Sequence, residues 1–431
     1  MDDLNLEKMD EDGFDLISFI GEDIQYPIAQ GYDNFKNQLL KFFPEEESGL
    51  DLYIERIKRV CNAFPLYQLK SKGNFSEEID MFFESAKEVI EECISNKKLQ
   101  AVLSADNILY AGVGNKSPFY MHALIINSYI ESSYRVMGGG STISRSLERQ
   151  IKKLGGLVIR QAEVVKINVE EFEAKNVVLK DGTTLEATTY ISNIHPTPTF
   201  KLIDDSVFRK AFRNRMNSLE NTESSFVLYL KLKPETYPYH KHNLYHLDQN
   251  DVWDLPFIDP KRWGENLSVF SAPDKKNPAF TESLIVITYM KMEELNQWKD
   301  TFSTITEFSI RDQSYQDFKE EKSQIILKNL VKLIPEIEGN IESYTSSTPL
   351  TQRDYMNSPG GSLYGVMKDY KSPMKSVINT RTKVKNLFLT GQNIGVHGIL
   401  GVVISATVTC AEFLGRDYLV GKIKDSCHYD A

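Results

Sequence analysis

The sequence is poor in the residues that mark several common chemistries. It has four cysteines in 431 residues, Cys61, Cys93, Cys410 and Cys427, and no CxxC pair. That excludes a thiolate zinc site of ordinary spacing and a disulfide framework, and points to reduced thiols in a cytoplasmic protein. Basic residues are outnumbered, 50 Lys and Arg against 60 Asp and Glu, for a formal charge of −10. A nucleic-acid partner needs a basic face and is excluded on that balance. No serine stands in a GxSxG elbow, which removes that hydrolase chemistry, and no GxGxxG occurs anywhere in the chain. The opening stretch, MDDLNLEKMDEDGFD, is acidic and lacks the apolar run of a signal peptide.

Long apolar runs are also scarce. Asn386 to Ala411 carries no charge and has the length of a membrane span, but it holds Gln392, Asn393, His397 and four glycines. Burying those amides in lipid is costly, so the segment reads as a buried strand, turn and helix. With 41% hydrophobic and 26% charged residues, the chain has the balance of a globular protein of two or three domains.

Periodicity gives a first map. Phe14–Phe19 and Ile24–Pro27 read as a hairpin around Gly21, followed by helices over Tyr32–Phe43 and Glu45–Phe64 that break at Pro44. Further helices are expected over Glu77–Ile94 and Phe119–Ile130. Gly138-Gly139-Gly140 opens a helix with Ser141 as its cap, and strands follow over Leu157–Ile167, Asn176–Lys180 and Leu185–Ser192. Phe226–Leu232, Asn243–Leu247, Leu267–Ala272 and Leu284–Met290 read as a second, mainly antiparallel sheet. Phe318–Leu333 is a charged amphipathic helix. The chain closes with a strand over Asn386–Thr390 and a helix over Ile399–Leu414.

Three motifs invite a ligand. In NLFLTGQNIGVHGILGVVISATVTCAEFLG a buried strand runs through glycines into a helix, whose N-terminal N–H groups can meet a flat or anionic ligand. A tight turn without a ligand fits the same spacing. The triple glycine of YRVMGGGSTIS can cradle a phosphate or only turn the chain. Gly112-Val113-Gly114-Asn115-Lys116-Ser117 falls one residue short of the dinucleotide fingerprint. It follows Ser104, Asp106 and Asn107 rather than a clean apolar strand, so it reads as no nucleotide site. His240, His242 and His246, with Asp248 nearby, read as a surface loop and not as a metal site.

Taken together, four blocks resemble one family. YRVMGGGSTISRSLERQIKKLGG with the Val164–Ile167 strand and VVLKDGTTLEATTYISNIHPTPTF are similar to the middle of carotenoid desaturases, carotenoid isomerases and retinol saturases. SSTPLTQRDYMNSPGGSLYG and NLFLTGQNIGVHGILGVVISA are similar to their C-terminal third. These are phytoene desaturase-like flavoproteins of the amine-oxidase-like superfamily. The resemblance implies an α/β fold: an FAD/NAD(P)-binding Rossmann-like domain, N-terminally truncated, with an α+β substrate domain. It divides the chain into a mostly helical cap region (1–135), the middle of the FAD domain (136–205), a substrate domain (206–345) and the end of the FAD domain (346–431).

The resemblance also implies an FAD-dependent oxidoreductase acting by hydride transfer at the flavin on a lipophilic carotenoid-like or retinoid-like substrate. Desaturation, saturation and isomerisation all remain open. By position, Val164 resembles the residue whose backbone meets the adenine. Gly391, Gln392 and Asn393 resemble the turn beside the pyrophosphate and ribityl chain, and Gly398, Gly401 and Val402 the helix start facing the pyrimidine edge. Where the family often has an acid after the turn glycine, Gln392 and Asn393 imply a neutral hydrogen bond. No catalytic side chain is assigned. The family's opening strand, GxGxxG and helix are missing from this sequence, so truncation is expected, and with it weak FAD binding by these residues alone. A form unable to hold FAD and an amine oxidase of the same superfamily are the other readings. Peripheral contact with a membrane is compatible with a lipid substrate.

Overall fold

Early in the chain, short strands show the period of two that a half-buried sheet requires. In this computed structural model, which describes residues 4–71, 79–305 and 311–426, β1 (Leu6–Lys8) leads into β2 (Asp15–Phe19) and β3 (Gln25–Ile28), the expected hairpin. Asp15, Ile17 and Phe19 of β2 share one face and are buried. Helices α1 (Tyr32–Leu40) and α2 (Glu47–Ala63) follow, parted at Pro44. On α2, Leu50, Tyr53, Ile54, Ile57, Val60 and Cys61 recur at three and four residues and make one buried stripe.

The next helices begin where side chains cap them. Ser85 accepts from the Glu88 N–H at the start of α3 (Ala86–Cys93), and Asn96 accepts from Lys98 and Leu99 at the start of α4 (Lys97–Ser104). Of the helix expected over Glu77–Ile94, residues 77 and 78 lie outside the described residues, and a 3-10 turn over Ile79–Phe83 precedes α3. Helix α5 (Phe119–Glu131) is buried on nearly every side. Its His122 joins Tyr53 Oη (2.6 Å) to Tyr110 Oη (3.0 Å), and burial keeps the ring neutral by lowering its pKa to about 3.

Three expectations are corrected in the next stretch. After β4 (Tyr134–Val136), α6 (Ser141–Lys153) has Gly140 as its N-cap, with Ser141 already inside the helix. The strand expected over 157–167 begins only with β5 (Val164–Glu170); Leu157 and Ile159 are 84% and 58% exposed and pair with nothing. β6 (Glu173–Leu179) and β7 (Thr184–Glu186) complete a three-stranded sheet with β5. The single strand expected over 185–192 breaks after β7, and β8 (Tyr190–Ser192) leaves for another sheet. The break is held by Tyr190 Oη, which accepts from the Ala187 N–H (2.9 Å) and donates to the Lys175 carbonyl (2.7 Å).

Helices α7 (Pro196–Lys201) and α8 (Lys210–Asn217) lead to the main sheet strands β9 (Ser224–Leu232), β10 (Asn243–Leu247), β11 (Leu267–Pro273) and β12 (Thr281–Met290). Then come α9 (Gln313–Leu333), β13 (Ile341–Ser347), α10 (Pro349–Met356), β14 (Leu387–Leu389), α11 (Gly398–Leu414) and α12 (Arg416–Ser426). The seven-stranded sheet runs β13-β9-β12-β11-β10-β2-β3. All its pairings are antiparallel except β10 with β2, so the early hairpin and the later strands share one sheet.

Each face of that sheet supports a core. Phe226, Leu228, Leu267, Val269, Leu284 and Val286 pack with Ile326 and Leu330 of α9. On the opposite face Ile17, Phe19, Tyr245, Leu247 and Tyr289 pack with the helical layer of α1 to α5. A third cluster joins Ile167 of β5, Tyr190 of β8 and Leu387 and Leu389 of β14. No helix among the described residues is long and apolar enough to cross a membrane.

The RDYMNSPGG block makes a corner held by charge. The Asp354 carboxylate on α10 is buried, and it accepts from the Ser303 N–H (3.0 Å), from Arg353 Nε (2.7 Å) and from Arg311. Removing one member of a buried ion network strands the others without solvent. Asp354→Ala is therefore expected to lower unfolding free energy by about 3 kcal/mol or more, read from urea titration at neutral pH. A loss below about 1 kcal/mol would show that the two guanidinium groups reach water instead.

Candidate functional site

Three apolar residues end the short parallel sheet. Leu387, Phe388 and Leu389 of β14 pair with Tyr190, Ile191 and Ser192 of β8, and the Thr390 N–H continues the ladder to the Ser192 carbonyl (3.0 Å). The next residue, Gly391, has φ +93°, and a β-carbon there would run into the Asn193 side chain. Only glycine turns the chain at that place.

Helix α11 then docks by its small residues. Gly401, Ser405 and Thr409 form the buried stripe. Ser405 Oγ accepts from the Gly391 N–H (2.9 Å), and Thr409 Oγ1 donates to the Leu389 carbonyl (3.2 Å). The large apolar residues point away from that contact: Ile399, 66% exposed, and Leu400 lie along the cavity described below, and Val403, Phe413 and Leu414 are exposed as well. That reverses the usual arrangement of an amphipathic helix.

The structure separates the residues singled out in this segment. A β-carbon on Gly398, the first residue of α11 at φ +78°, would meet open space. On Gly401 it would collide with the Val396 carbonyl, so this glycine brings the helix against its own preceding loop. Asn393 is buried and its Oδ1 accepts from the Val366 N–H (2.9 Å), while Gln392 and Val402 are half-buried. Val164 opens β5 in the three-stranded sheet. That sheet is tied to β14 by Asn386, which accepts from the Ala174 N–H (2.8 Å) and donates to its carbonyl (2.9 Å). The triple glycine 138–140 is exposed. In the near-fingerprint at Gly112, the Val113 N–H is donated to Ser117 Oγ (2.8 Å), which closes the loop on itself.

A cavity of about 380 Å³ lies between α11 and the helical layer. Gly395 to Gly401 form one wall, and Phe64, Leu124, Ile125, Tyr129 and Tyr364 line much of the rest. The Tyr364 ring stacks on His397 with centroids 4.4 Å apart. Beside them, Lys368 Nζ donates to the Ser376 carbonyl (3.2 Å). The residue is half-buried, and burial lowers its pKa to about 8. Burial and the Lys368 charge lower His397 to about 3, so at neutral pH the imidazole is neutral beside a mostly charged amine.

Sequence reasoning missed several polar residues that are buried in the fold. Ser104, Asp106 and Asn107 argued against a clean strand, and they indeed lie in helix and 3-10 turn, yet all three are buried. Asp15 is buried too, and Asn243 Nδ2 donates to its Oδ1 (2.7 Å). Only the inward parity of Asp15 with Ile17 and Phe19 could have signalled this. His240 and His242 stack on each other at 5.1 Å, and His246 Nδ1 lies 2.9 Å from Ser18 Oγ. Among the described residues no cluster of His, Cys, Asp or Glu could hold a metal.

No family model matches the chain. It is 25% identical over 432 residues to the all-trans-retinol 13,14-reductase of Danio rerio, covering 91% of this chain and 70% of that protein. Over 444 residues it is 22% identical to the chloroplastic prolycopene isomerase 1 of an Oncidium hybrid cultivar, covering 93% and 69%. Among solved structures, an oxidoreductase from Methanosarcina mazei aligns with a TM-score of 0.59 at 12% identity, over 98% of this chain and 82% of that one. Putrescine oxidase bound to putrescine aligns at 0.56 and 13%, over 98% and 83%. The chain is a homologue of the retinol reductases and prolycopene isomerases, and its mixed α/β architecture is that of the amine-oxidase-like oxidoreductases.

The buried acid gives a signed pH test. Burial raises Asp15 to about 7 from an ordinary 3.8, against the opposing pull of Asn243 and Arg135. Above pH 7 the folded state must hold a charge it disfavours, whereas below about 4 both states are protonated and nothing is lost. Asp15→Asn keeps an acceptor for Asn243 and is expected to raise the melting temperature at pH 8, with the gain fading as pH falls to 4. Equal effects at both pH values would place Asp15 in water.

Proposed function

We propose that this chain forms the substrate chamber and one wall of the cofactor site of an FAD-dependent oxidoreductase acting on a retinoid-like or carotenoid-like polyene. The observation that carries this reading is the cavity itself, where an apolar, aromatic lining faces the glycine-rich start of a helix. Pockets for lipophilic molecules are built this way, mostly apolar with a few placed polar groups. The sequence relationship to retinol reductases and prolycopene isomerases supports the substrate class.

The residues present fit a flavin. Gly398 leaves space where a β-carbon would stand, and the buried Thr390 Oγ1 has no hydrogen-bond partner in the described structure. Val164 would meet the adenine, Gly391, Gln392 and Asn393 the pyrophosphate and ribityl chain, and Gly398, Gly401 and Val402 the pyrimidine edge through their backbone. FAD supplies hydride acceptance or donation when bound. The chain does the rest. The N–H groups at the start of α11 favour negative charge nearby, and the Lys368 ammonium adds a positive charge beside His397. Phe64, Leu124 and Ile125 keep water out of the chamber. The exposed apolar face of α11 is where the protein would touch a bilayer to collect its substrate.

The test is flavin occupancy. A form carrying a GxGxxG-bearing strand-turn-helix-strand unit ahead of residue 1 is expected to purify yellow with one FAD per chain, and residues 1–431 alone to hold far less. In the extended form Gly398→Val should lose FAD, at a cost in stability of about 1–2 kcal/mol from the strain of a side chain at φ +78°. Gly401→Val should lower the melting temperature itself, because its side chain meets the Val396 carbonyl. Full FAD retention by Gly398→Val would remove the flavin from the start of α11.

A further inference from the structure

The turn that leads into α11 is braced from behind by one extended segment. Residues 363–367 run antiparallel to 220–223. The Leu363 N–H reaches the Glu223 carbonyl (3.1 Å), the Met367 N–H the Glu220 carbonyl (2.9 Å), and the Thr222 N–H the Gly365 carbonyl (2.8 Å). Alternate residues of this segment then meet the turn. The Tyr364 ring stacks on His397, and the Val366 N–H is donated to Asn393 Oδ1 (2.9 Å). Lys368 Nζ donates to the Asn393 carbonyl (3.5 Å) as well as to that of Ser376 (3.2 Å). His397 is the partition. It lines the large cavity, and it also lines a space of about 10 Å³ that it shares with Lys368 and Tyr110. That second space has room for one water at most.

The charge on Lys368 is unbalanced in this place. Its ammonium bonds two carbonyl oxygens, and no acid among the described residues offsets the burial that lowers its pKa to about 8. The amine is still mostly protonated at neutral pH, so the folded chain holds a half-buried cation without a counter-charge. Such a cation costs stability unless something negative stands near it. The neutral His397 ring stands between it and the large cavity.

We propose that Lys368 supplies the counter-charge for reduced flavin, so that this wall holds the reduced cofactor more tightly than the oxidised one. The proposal rests on the flavin reading above and adds which oxidation state the wall favours. Reduction leaves a negative charge on the flavin ring at neutral pH that the oxidised ring lacks, whereas the pyrophosphate is equally charged in both. A cation facing the ring therefore separates the two forms, and a cation facing the pyrophosphate does not. One unit charge acting through a protein wall is worth about ten-fold in that preference. For a two-electron couple, ten-fold corresponds to about 30 mV.

The preference must then depend on pH. Lys368 loses its proton near pH 8. The titratable groups beside it are Tyr110 from the 3-10 turn after α4, His397 from the cofactor turn and Tyr364 from its own segment. Burial lowers His397 to about 3 and raises both tyrosine hydroxyls above their ordinary range, so all three stay neutral from pH 7 to pH 9.

The experiment is anaerobic ultrafiltration of the full chain with FAD and with dithionite-reduced FAD, up to millimolar flavin, at pH 7 and pH 9. Free flavin is read by absorbance after air is admitted. The ratio of oxidised to reduced dissociation constants is expected to fall about five-fold from pH 7 to pH 9 as Lys368 discharges. Lys368→Met should lower the ratio about ten-fold at pH 7 and leave it insensitive to pH. It should melt no lower at pH 7, because a lowered folded pKa means that the charged amine opposes folding there. Lys368→Arg should keep the high ratio at both pH values. If Lys368→Met does not fold, the pH profile of the unaltered chain and Lys368→Arg still decide. A ratio that responds neither to pH nor to Lys368→Met overturns the proposal and leaves the flavin reading standing. Equal weakening of both flavins does the same, because Lys368 then serves the pyrophosphate or only braces the turn. A fall with pH that persists in Lys368→Met also overturns it, since another group carries the charge. If neither flavin binds the unaltered chain, the flavin reading falls and this proposal with it.

Discussion

The structure depends on one pairing. Asp15–Phe19 of β2 lies parallel to Asn243–Leu247 of β10, five residues in register. Parallel neighbours cannot be joined by a tight turn, so the chain must leave the sheet and return by a long connection. Here the connection contains the whole helical layer and the small sheet of β5 to β7. The two ends of the helical layer are also held together, since β1, just ahead of β2, pairs with β4 just beyond α5 in a separate two-stranded sheet. The layer is held over one face of the sheet, and its Phe64, Leu124, Ile125 and Tyr129 form the wall of the cavity opposite α11.

The other wall follows from a helix packed in an unusual sense. Most helices bury their large apolar residues and leave small or polar ones outside. α11 instead spends Gly401, Ser405 and Thr409 on the contact with β14 and turns Ile399, Leu400 and Val403 away from it. Two hydroxyl hydrogen bonds replace the missing apolar contact and draw the helix start close to the Gly391 turn. A backbone approached this closely can serve a flat cofactor. An exposed apolar face can serve a lipid surface.

Local elements with strong periodicity were legible from the sequence. The strands β9 to β12 were expected within three residues at each end, and the Leu387–Leu389 strand leading through glycine into α11 within a residue or two. Long-range pairing was not legible, because nothing in DLISF or NLYHL says that the two lie side by side. The division of Leu185–Ser192 between two sheets was hidden for the same reason, as it rests on a single tyrosine hydroxyl. The cofactor residues were read from position in a resemblance. The structure adds a distinction invisible in the letters, that Gly398 has open space and Gly401 does not. The burial of Asp106 and Asn107 was missed because polar residues in that stretch argue only against a clean buried strand. Their burial is imposed by tertiary packing against β10, not by local pattern.

The central claim is that a polyene meets a flavin in the chamber between α11 and the helical layer. Its most direct test is anaerobic mixing of the flavin-loaded protein, in oxidised and in reduced form, with all-trans-retinol and with a cis-carotene, followed by visible spectra and chromatography of the polyene. The account predicts that at least one polyene emerges with a changed number of double bonds, matched by a change in flavin oxidation state, or with a changed isomer composition when the flavin is reduced. Unchanged polyenes, together with bleaching of the oxidised flavin by a primary amine, would contradict it.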